Sequence, residues 1–179
     1  QFQASSEVRN GLTLEPWDTA DESVDPLLFF GDLTGNQYAV SALTGELRWK
    51  VRIEDHGAAT LTAAAELSDG MLYVPVSSLE EGAAIAAGYP CCSFRGSIVA
   101  LDARSGEELW RRHFIPPAEQ HGVNAAGTPQ YGPSGVPIWA GMAMDAEHLY
   151  IATGDDYSGE GSETSDAIIA LDKVSGRTV

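Results

Sequence analysis

Apolar residues recur along this chain at a period of two, in short runs closed by glycine, proline or small polar residues. That alternation predicts strands joined by tight turns. Three runs are clearest: Leu27-Leu-Phe-Phe30, Met71-Leu-Tyr-Val74 and His148-Leu-Tyr-Ile-Ala-Thr153. A hairpin unit follows each. Tyr38-Ala-Val-Ser-Ala-Leu-Thr-Gly45-Glu-Leu-Arg-Trp49 returns as Val99-Ala-Leu-Asp-Ala-Arg-Ser-Gly106-Glu-Glu-Leu-Trp110, and again as Ile169-Ala-Leu-Asp-Lys-Val-Ser-Gly176, where the sequence stops before a third Trp. Each copy reads as a strand, a turn closed by Thr-Gly or Ser-Gly, and a second strand ending in Trp. The glycine spacings are 61 and 70 residues, from Gly45 to Gly106 to Gly176. They exceed a minimal propeller blade, so the repeats must carry inserted loops.

Two further apolar stretches, residues 58–67 and 136–144, end in the turn signals Ser68-Asp-Gly70 and Asp145-Ala-Glu147, which brings the count to four short strands per unit. That is the arithmetic of a β-propeller blade. The alanine-rich Ala63-Ala-Ala-Glu66 is read as strand or turn, and the 19 Gly and 9 Pro spread along the chain leave no room for long helices. The predicted fold is all-β: one partial propeller domain over residues 1–179, about three blades, with blade-like units at approximately 27–55, 58–114 and 136–179. Three loops are longer than hairpins require, from Ser77 to Phe94, His113 to Trp139 and Asp155 to Asp166. Long ordered loops are where function concentrates.

Ten basic against 26 acidic side chains give a net charge of −16 at pH 7. That balance disfavours nucleic acid and anionic membrane surfaces, which need clustered Lys and Arg. With 44% apolar and 20% charged residues the chain is ordinary globular material. No apolar run approaches the ~18 residues of a membrane span, and the N-terminus has neither the basic start nor the apolar core of a signal peptide. The absence of an initiating Met and the stop inside the third repeat read as a fragment. No Cys-x-x-Cys-His, Gly-x-Gly-x-x-Gly or Gly-x-Ser-x-Gly is present, and His56, His113, His121 and His148 have no metal-ligand spacing. Covalent haem, Rossmann nucleotide, hydrolase and zinc readings therefore have little support.

Cys91 and Cys92 are the only cysteines. Neighbouring Cα atoms stand about 3.8 Å apart across a trans peptide, below the usual disulfide span, so a bond between them would form a small strained ring that staples no loop. Two incidental thiols are the alternative.

Taken together, Gly35-Asn-Gln-Tyr-Ala-Val40 with Thr44-Gly-Glu-Leu-Arg-Trp49, Leu72-Tyr-Val-Pro-Val-Ser-Ser-Leu-Glu-Glu81, Cys91-Cys-Ser-Phe-Arg-Gly96 and Tyr131-Gly-Pro-Ser-Gly-Val-Pro-Ile-Trp139 resemble the pyrroloquinoline quinone (PQQ) dehydrogenases. The polyvinyl-alcohol dehydrogenase type is the most similar subgroup, and the resemblance runs from roughly Arg9 to Val179. It implies an eight-bladed quinoprotein propeller that oxidises an alcohol by hydride transfer to calcium-bound PQQ. It further implies electron transfer to a c-type cytochrome and a periplasmic or secreted location. Carried over residue by residue, Trp139 would be the floor under the quinone and the Cys91–Cys92 disulfide its lid. Thr62, Ser77 and Arg9 would contact the cofactor, with Arg95 competing for the role of Arg9. Glu80 and Asp155 would bind Ca²⁺, Asp155 standing where the family has Asn. The base, an Asp in the family, falls beyond Val179, so none is assigned, and Asp166 is read as structural. The rival readings are a non-catalytic propeller scaffold without cofactor, and a sugar or alcohol quinoprotein of another type.

Overall fold

The computed structural model describes residues 1–16, 21, 23–159 and 161–179, which includes the loop from Asp155 to Asp166 save Glu160. Its strands form consecutive antiparallel meanders, as the repeated hairpins require. The first sheet is β1 (Thr13–Leu14), β2 (Leu27–Gly31), β3 (Asn36–Ser41) and β4 (Leu47–Arg52), in that order. The second holds β5 (Ala59–Thr60), β6 (Glu66–Ser68), β7 (Met71–Ser78), β8 (Ser97–Asp102) and β9 (Glu108–His113). A two-stranded hairpin, β10 (Glu119–Val123) with β11 (Pro129–Gly132), stands apart from it. The third sheet is β12 (Ala143–Met144), β13 (His148–Ala152) and β14 (Ile168–Asp172). A single helical turn, α1 (Glu80–Ala83), leaves the end of β7.

The middle sheet is buried on both faces, and the period of two decides which residue meets which neighbour. Leu72, Val74 and Val76 of β7, with Val99 and Leu101 of β8, pack with Phe29 and Trp49 of the first sheet. Tyr73, Ile98 and Ala100 point the other way and pack with Leu149, Ile151 and Leu171 of the third. Three sheets stacked face to face in chain order are blades of a propeller, each covering the apolar face of the next.

The tryptophans that end the hairpins stitch these blades. Trp49 Nε1 donates to the carbonyl of Ala103 at 2.9 Å, and Trp110 Nε1 donates to that of Lys173 at 3.2 Å, in each case the turn of the following repeat. The ring lies where that turn has a glycine. A Cβ on Gly106 would stand 2.8 Å from Trp49, and one on Gly176 would stand 2.6 Å from Trp110. Both glycines also have positive φ, so the repeated glycine serves the turn and the incoming ring at once.

The two apolar stretches expected as first strands are broken. Residues 58–67 supply β5 and β6, which pair with opposite ends of β7, Ala59 with Ser78 and Glu66 with Tyr73. Leu61 to Ala65 lies outside the ladder between them. Residues 136–144 yield only Ala143–Met144 as strand. Val136, wholly buried at φ 54°, takes the segment out of extended geometry, and Pro137 has no amide to donate. Ile138 instead donates to Val76 O at 3.1 Å, and Val136 donates to Asp155 O at 2.7 Å.

Candidate functional site

The break between β5 and β6, the end of β7 and the displaced 136–139 segment converge on a cleft of about 260 Å³. Ser77 and Ser78 end β7, and Leu79 and Glu81 begin the turn after it. Thr62 comes from the gap in the first strand, Pro137 and Trp139 from the displaced segment, and Asp155 and Tyr157 from the loop after β13. A larger cleft of about 400 Å³ lies on the first sheet, beside Phe2, Leu28, Phe30 and Val40. Its lining is mostly apolar, with Gln1, Ser41 and Thr44 as its polar side chains and no carboxylate.

Trp139 differs from the two stitching tryptophans: it is 62% exposed, whereas Trp49 is 8%. A glycine supports its ring, because a Cβ on Gly154 would lie 2.7 Å from Trp139 Nε1 and 2.9 Å from Pro137 Cγ. Gly154 N donates to Pro137 O at 2.8 Å, which holds the two strips of backbone together beneath the indole. The cleft therefore has one open aromatic face.

Apart from the indole nitrogen of Trp139, the polar side-chain atoms of its lining residues are oxygens. Thr62 Oγ1 is buried and has no hydrogen-bond partner, an arrangement that in a native site calls for a ligand or water. The carboxylates of Glu81 and Asp155 line the cleft with no Lys, Arg or His among its lining residues. Burial, reinforced by the charges of Asp155, Glu81 and Glu80, pushes the Tyr157 phenol far above its ordinary value, so it stays a proton donor across the physiological range. Two carboxylates without a protein cation, among hydroxyls, suit a hard oxygen-seeking cation. Among the described residues no group of three or more His, Cys, Asp or Glu forms a metal cluster.

The structure brings together four of the eight residues read from the sequence, Thr62, Ser77, Trp139 and Asp155. Glu80 is placed otherwise than expected. It is wholly buried, and its carboxylate accepts from the backbone N–H of Ser93 at 2.9 Å and of Phe94 at 2.8 Å, and from Tyr89 Oη at 3.2 Å. His56 Nε2 stands 3.3 Å away. Burial alone would raise its pKa, but the hydrogen bonds from His56, Ser93 and Phe94 outweigh that and hold it below the ordinary value. The carboxylate that faces the cleft is Glu81, exposed and one residue on. Ser77-x-x-Glu80 and Ser78-x-x-Glu81 are the same pattern in two registers, and only packing separates them.

Cys91 and Cys92 do form a disulfide, across a cis rather than a trans peptide, with Cα atoms 3.0 Å apart. The pair is held to β11, where Tyr131 N donates to Cys91 O at 2.7 Å and Cys92 N donates to Tyr131 O at 3.2 Å. Neither sulfur residue is among those lining the cleft. Arg9 is exposed and also outside it. Arg95 spends its guanidinium on the carbonyl of Ile115, at 2.9 and 2.7 Å. Asp166, at φ 52°, donates its N–H to Gly154 O at 3.0 Å and so braces the loop behind Trp139. Tyr157, Ser78 and Leu79 were not legible as site residues, since a lone Tyr in a loop carries no spacing signal.

The inter-blade cleft of this propeller thus joins an exposed indole, a buried hydroxyl without a partner among the described residues, and two acidic residues with no Lys, Arg or His among the lining residues. Residues 81–179 match the family model for the glucose/ethanol/alcohol dehydrogenase PQQ β-propeller domain. The chain is 36% identical over 152 residues to a polyvinylalcohol dehydrogenase from Sphingopyxis sp., covering 83% of this chain and 23% of that protein. It is 33% identical over 143 residues to methanol dehydrogenase [cytochrome c] subunit 1 from Paracoccus denitrificans, covering 76% of this chain and 20% of that protein. Among solved structures, the quinohemoprotein alcohol dehydrogenase from Comamonas testosteroni superposes with a TM-score of 0.61 at 23% identity, over 86% of this chain and 25% of that one. The chain belongs to the PQQ-dependent alcohol dehydrogenase family and spans about a quarter of the length of the relatives it matches.

Proposed function

We propose that this chain forms part of the cofactor site of a PQQ-dependent alcohol dehydrogenase similar to the polyvinyl-alcohol enzymes, working with Ca²⁺ and passing electrons to a c-type cytochrome in the periplasm. The observation that carries this reading is the pairing, in one cleft, of the open Trp139 face with the unpartnered hydroxyl of Thr62. When bound, PQQ supplies a two-electron acceptor for alcohol oxidation, and calcium supplies a Lewis acid beside it.

The protein's own part is positioning. Trp139 offers a flat, polarizable surface against which a planar ring can stack. Thr62 donates its free hydroxyl to an oxygen of the ligand, and Ser77 and Ser78 add further polar contacts. Glu81 and Asp155 would hold the cation, as oxygen donors suit a hard ion. Asp155 supplies a charge where the family's Asn has none, which strengthens the hold on calcium while reducing its electrophilicity. Tyr157 keeps its proton and can donate to an anionic group without competing for the metal. Leu79 and Pro137 add apolar surface to the lining.

The test uses the full-length protein containing this chain, supplied with PQQ and Ca²⁺ and assayed by dye reduction with 2-propanol. Trp139→Ala and Thr62→Val are expected to weaken PQQ binding at least tenfold, and Glu81→Gln to abolish calcium-dependent turnover. Wild-type protein that binds no PQQ at saturating cofactor and calcium would overturn the reading in favour of a cofactor-free propeller.

A further inference from the structure

Glu80 and Glu81 are adjacent and face opposite ways, Glu81 toward the cleft and Glu80 into the protein with no exposed surface. A buried carboxylate is costly unless its oxygens are satisfied, and here the donors come from distant parts of the chain. Ser93 N and Phe94 N reach it from the loop that carries the disulfide, at 2.9 and 2.8 Å. Tyr89 Oη reaches it from the start of that loop at 3.2 Å, and Ser134 Oγ lies 3.3 Å from Oε2, on the segment leading to Pro137 and Trp139.

His56, from the loop after β4, completes the set. Its Nδ1 accepts from Ala58 N at 3.2 Å, so the ring proton sits on Nε2, 3.3 Å from Glu80 Oε1 and 3.1 Å from Ser93 Oγ. Nε2 therefore serves as the donor toward this carboxylate. Ser78 Oγ accepts from Glu80 N at 2.8 Å and ties the same residue back to the cleft wall. The loop 89–94 is closed around this carboxylate, and the closing point is one residue from Glu81.

We propose that Glu80 is a positioning residue: by gathering the loop 89–94, the 134 segment and His56 onto its buried carboxylate, it fixes the direction in which Glu81 faces the cleft. The proposal rests on the reading of Glu81 as part of a calcium site. Partners one step behind a metal ligand typically change metal affinity 10–100-fold when removed, and that range sets the expected size of the effect.

The full-length protein is compared with its Glu80→Gln, Tyr89→Phe and Glu81→Gln variants, measuring hydrogen exchange of residues 80–94 and calorimetric calcium affinity at saturating PQQ. Glu80→Gln keeps shape and one acceptor but loses the charge. It is expected to speed exchange at Ser93 and Phe94 about tenfold or more, leave β7, β8 and β9 protected, and weaken calcium about 10–100-fold. Tyr89→Phe, which removes one donor and buries no new group, should move both readouts in the same direction by less, and it decides the question if Glu80→Gln fails to fold. Glu81→Gln should weaken calcium while loop exchange stays as in the wild type. Fast loop exchange with wild-type calcium affinity would overturn the positioning role and leave Glu80 as a loop clasp; unchanged exchange would overturn the clasp too. A wild-type protein that binds no calcium would instead overturn the proposed function, with the exchange data still deciding whether the clasp exists.

Discussion

Asp32 keeps its charge although it has no exposed surface, because the chain around it is all donors. Tyr38 Oη donates at 2.7 Å, Asn36 through both its backbone N–H at 3.0 Å and its Nδ2 at 2.9 Å, and Thr34 through N and Oγ1, both at 2.9 Å. Burial alone would raise its pKa, but these hydrogen bonds dominate and hold it below the ordinary 3.8. A carboxyl depressed in the folded state stabilises the fold above its unfolded value and loses that contribution as pH falls through the folded one. Asp32→Asn is accordingly expected to cost about 2 kcal/mol at pH 7, measured by urea denaturation, and the gap from wild type should close below the ordinary aspartate range. An equal gap at pH 7 and in strong acid would refute the charge as its source. At Gly154 the argument is steric. An alanine there puts a methyl against the Trp139 indole, so Gly154→Ala should weaken PQQ binding while leaving the core stable. Tryptophan fluorescence quenching by PQQ reads the first effect and thermal unfolding the second.

At the scale of elements, the repeat owes its cohesion to a ring and a glycine in adjacent blades. Trp49→Ala removes both the 2.9 Å hydrogen bond to Ala103 and a buried indole, and is expected to cost about 3–5 kcal/mol. Gly106→Ala should cost about 1–3 kcal/mol, from the clash with the ring and the positive φ. The two costs should not add fully, because the two nearest contacts of an alanine at 106 are with the Trp49 ring, and without it only Val51 Cγ2 at 3.1 Å and the positive φ remain. A double-mutant cycle is therefore expected to give a coupling of about 1 kcal/mol, and strict additivity would mean that the turn, not the ring, sets the cost. This pairing was half legible. The repeated hairpin placed Trp49 and Trp110 at equivalent strand ends, but their destinations on the next repeat are separated from them by more than fifty residues. The broken first strands were not legible, since apolar patterning at 58–67 and 136–144 favours a strand, and only Val136 at positive φ and Pro137 reveal why the ladder fails there.

For the molecule as a whole, binding linked to the folded state must appear as stability. Ligand at a hundred times its Kd adds about 2.7 kcal/mol, so PQQ with Ca²⁺ should raise the unfolding midpoint of the full-length protein and a chelator should return it to the apo value. A midpoint indifferent to both would count against a site that bridges blades. The net charge of −16 is matched at the cleft, where two carboxylate residues and no Lys, Arg or His stand among the lining residues.

By itself the sequence determined the repeated hairpins and the sheet order that follows from them, because strand period and turn chemistry are local properties, while Thr62, Ser77, Trp139 and Asp155 were singled out by the resemblance to the PQQ dehydrogenases. The tertiary structure alone decided which of two adjacent glutamates faces the cleft, that the disulfide lies on β11 and outside the cleft lining, and that Tyr157 joins the site. Neighbours in sequence point to different surroundings, and a carboxylate's role depends on which donors the fold delivers to it. For Glu80 those donors are His56, Ser93, Phe94 and Tyr89, brought from two loops that no local pattern connects.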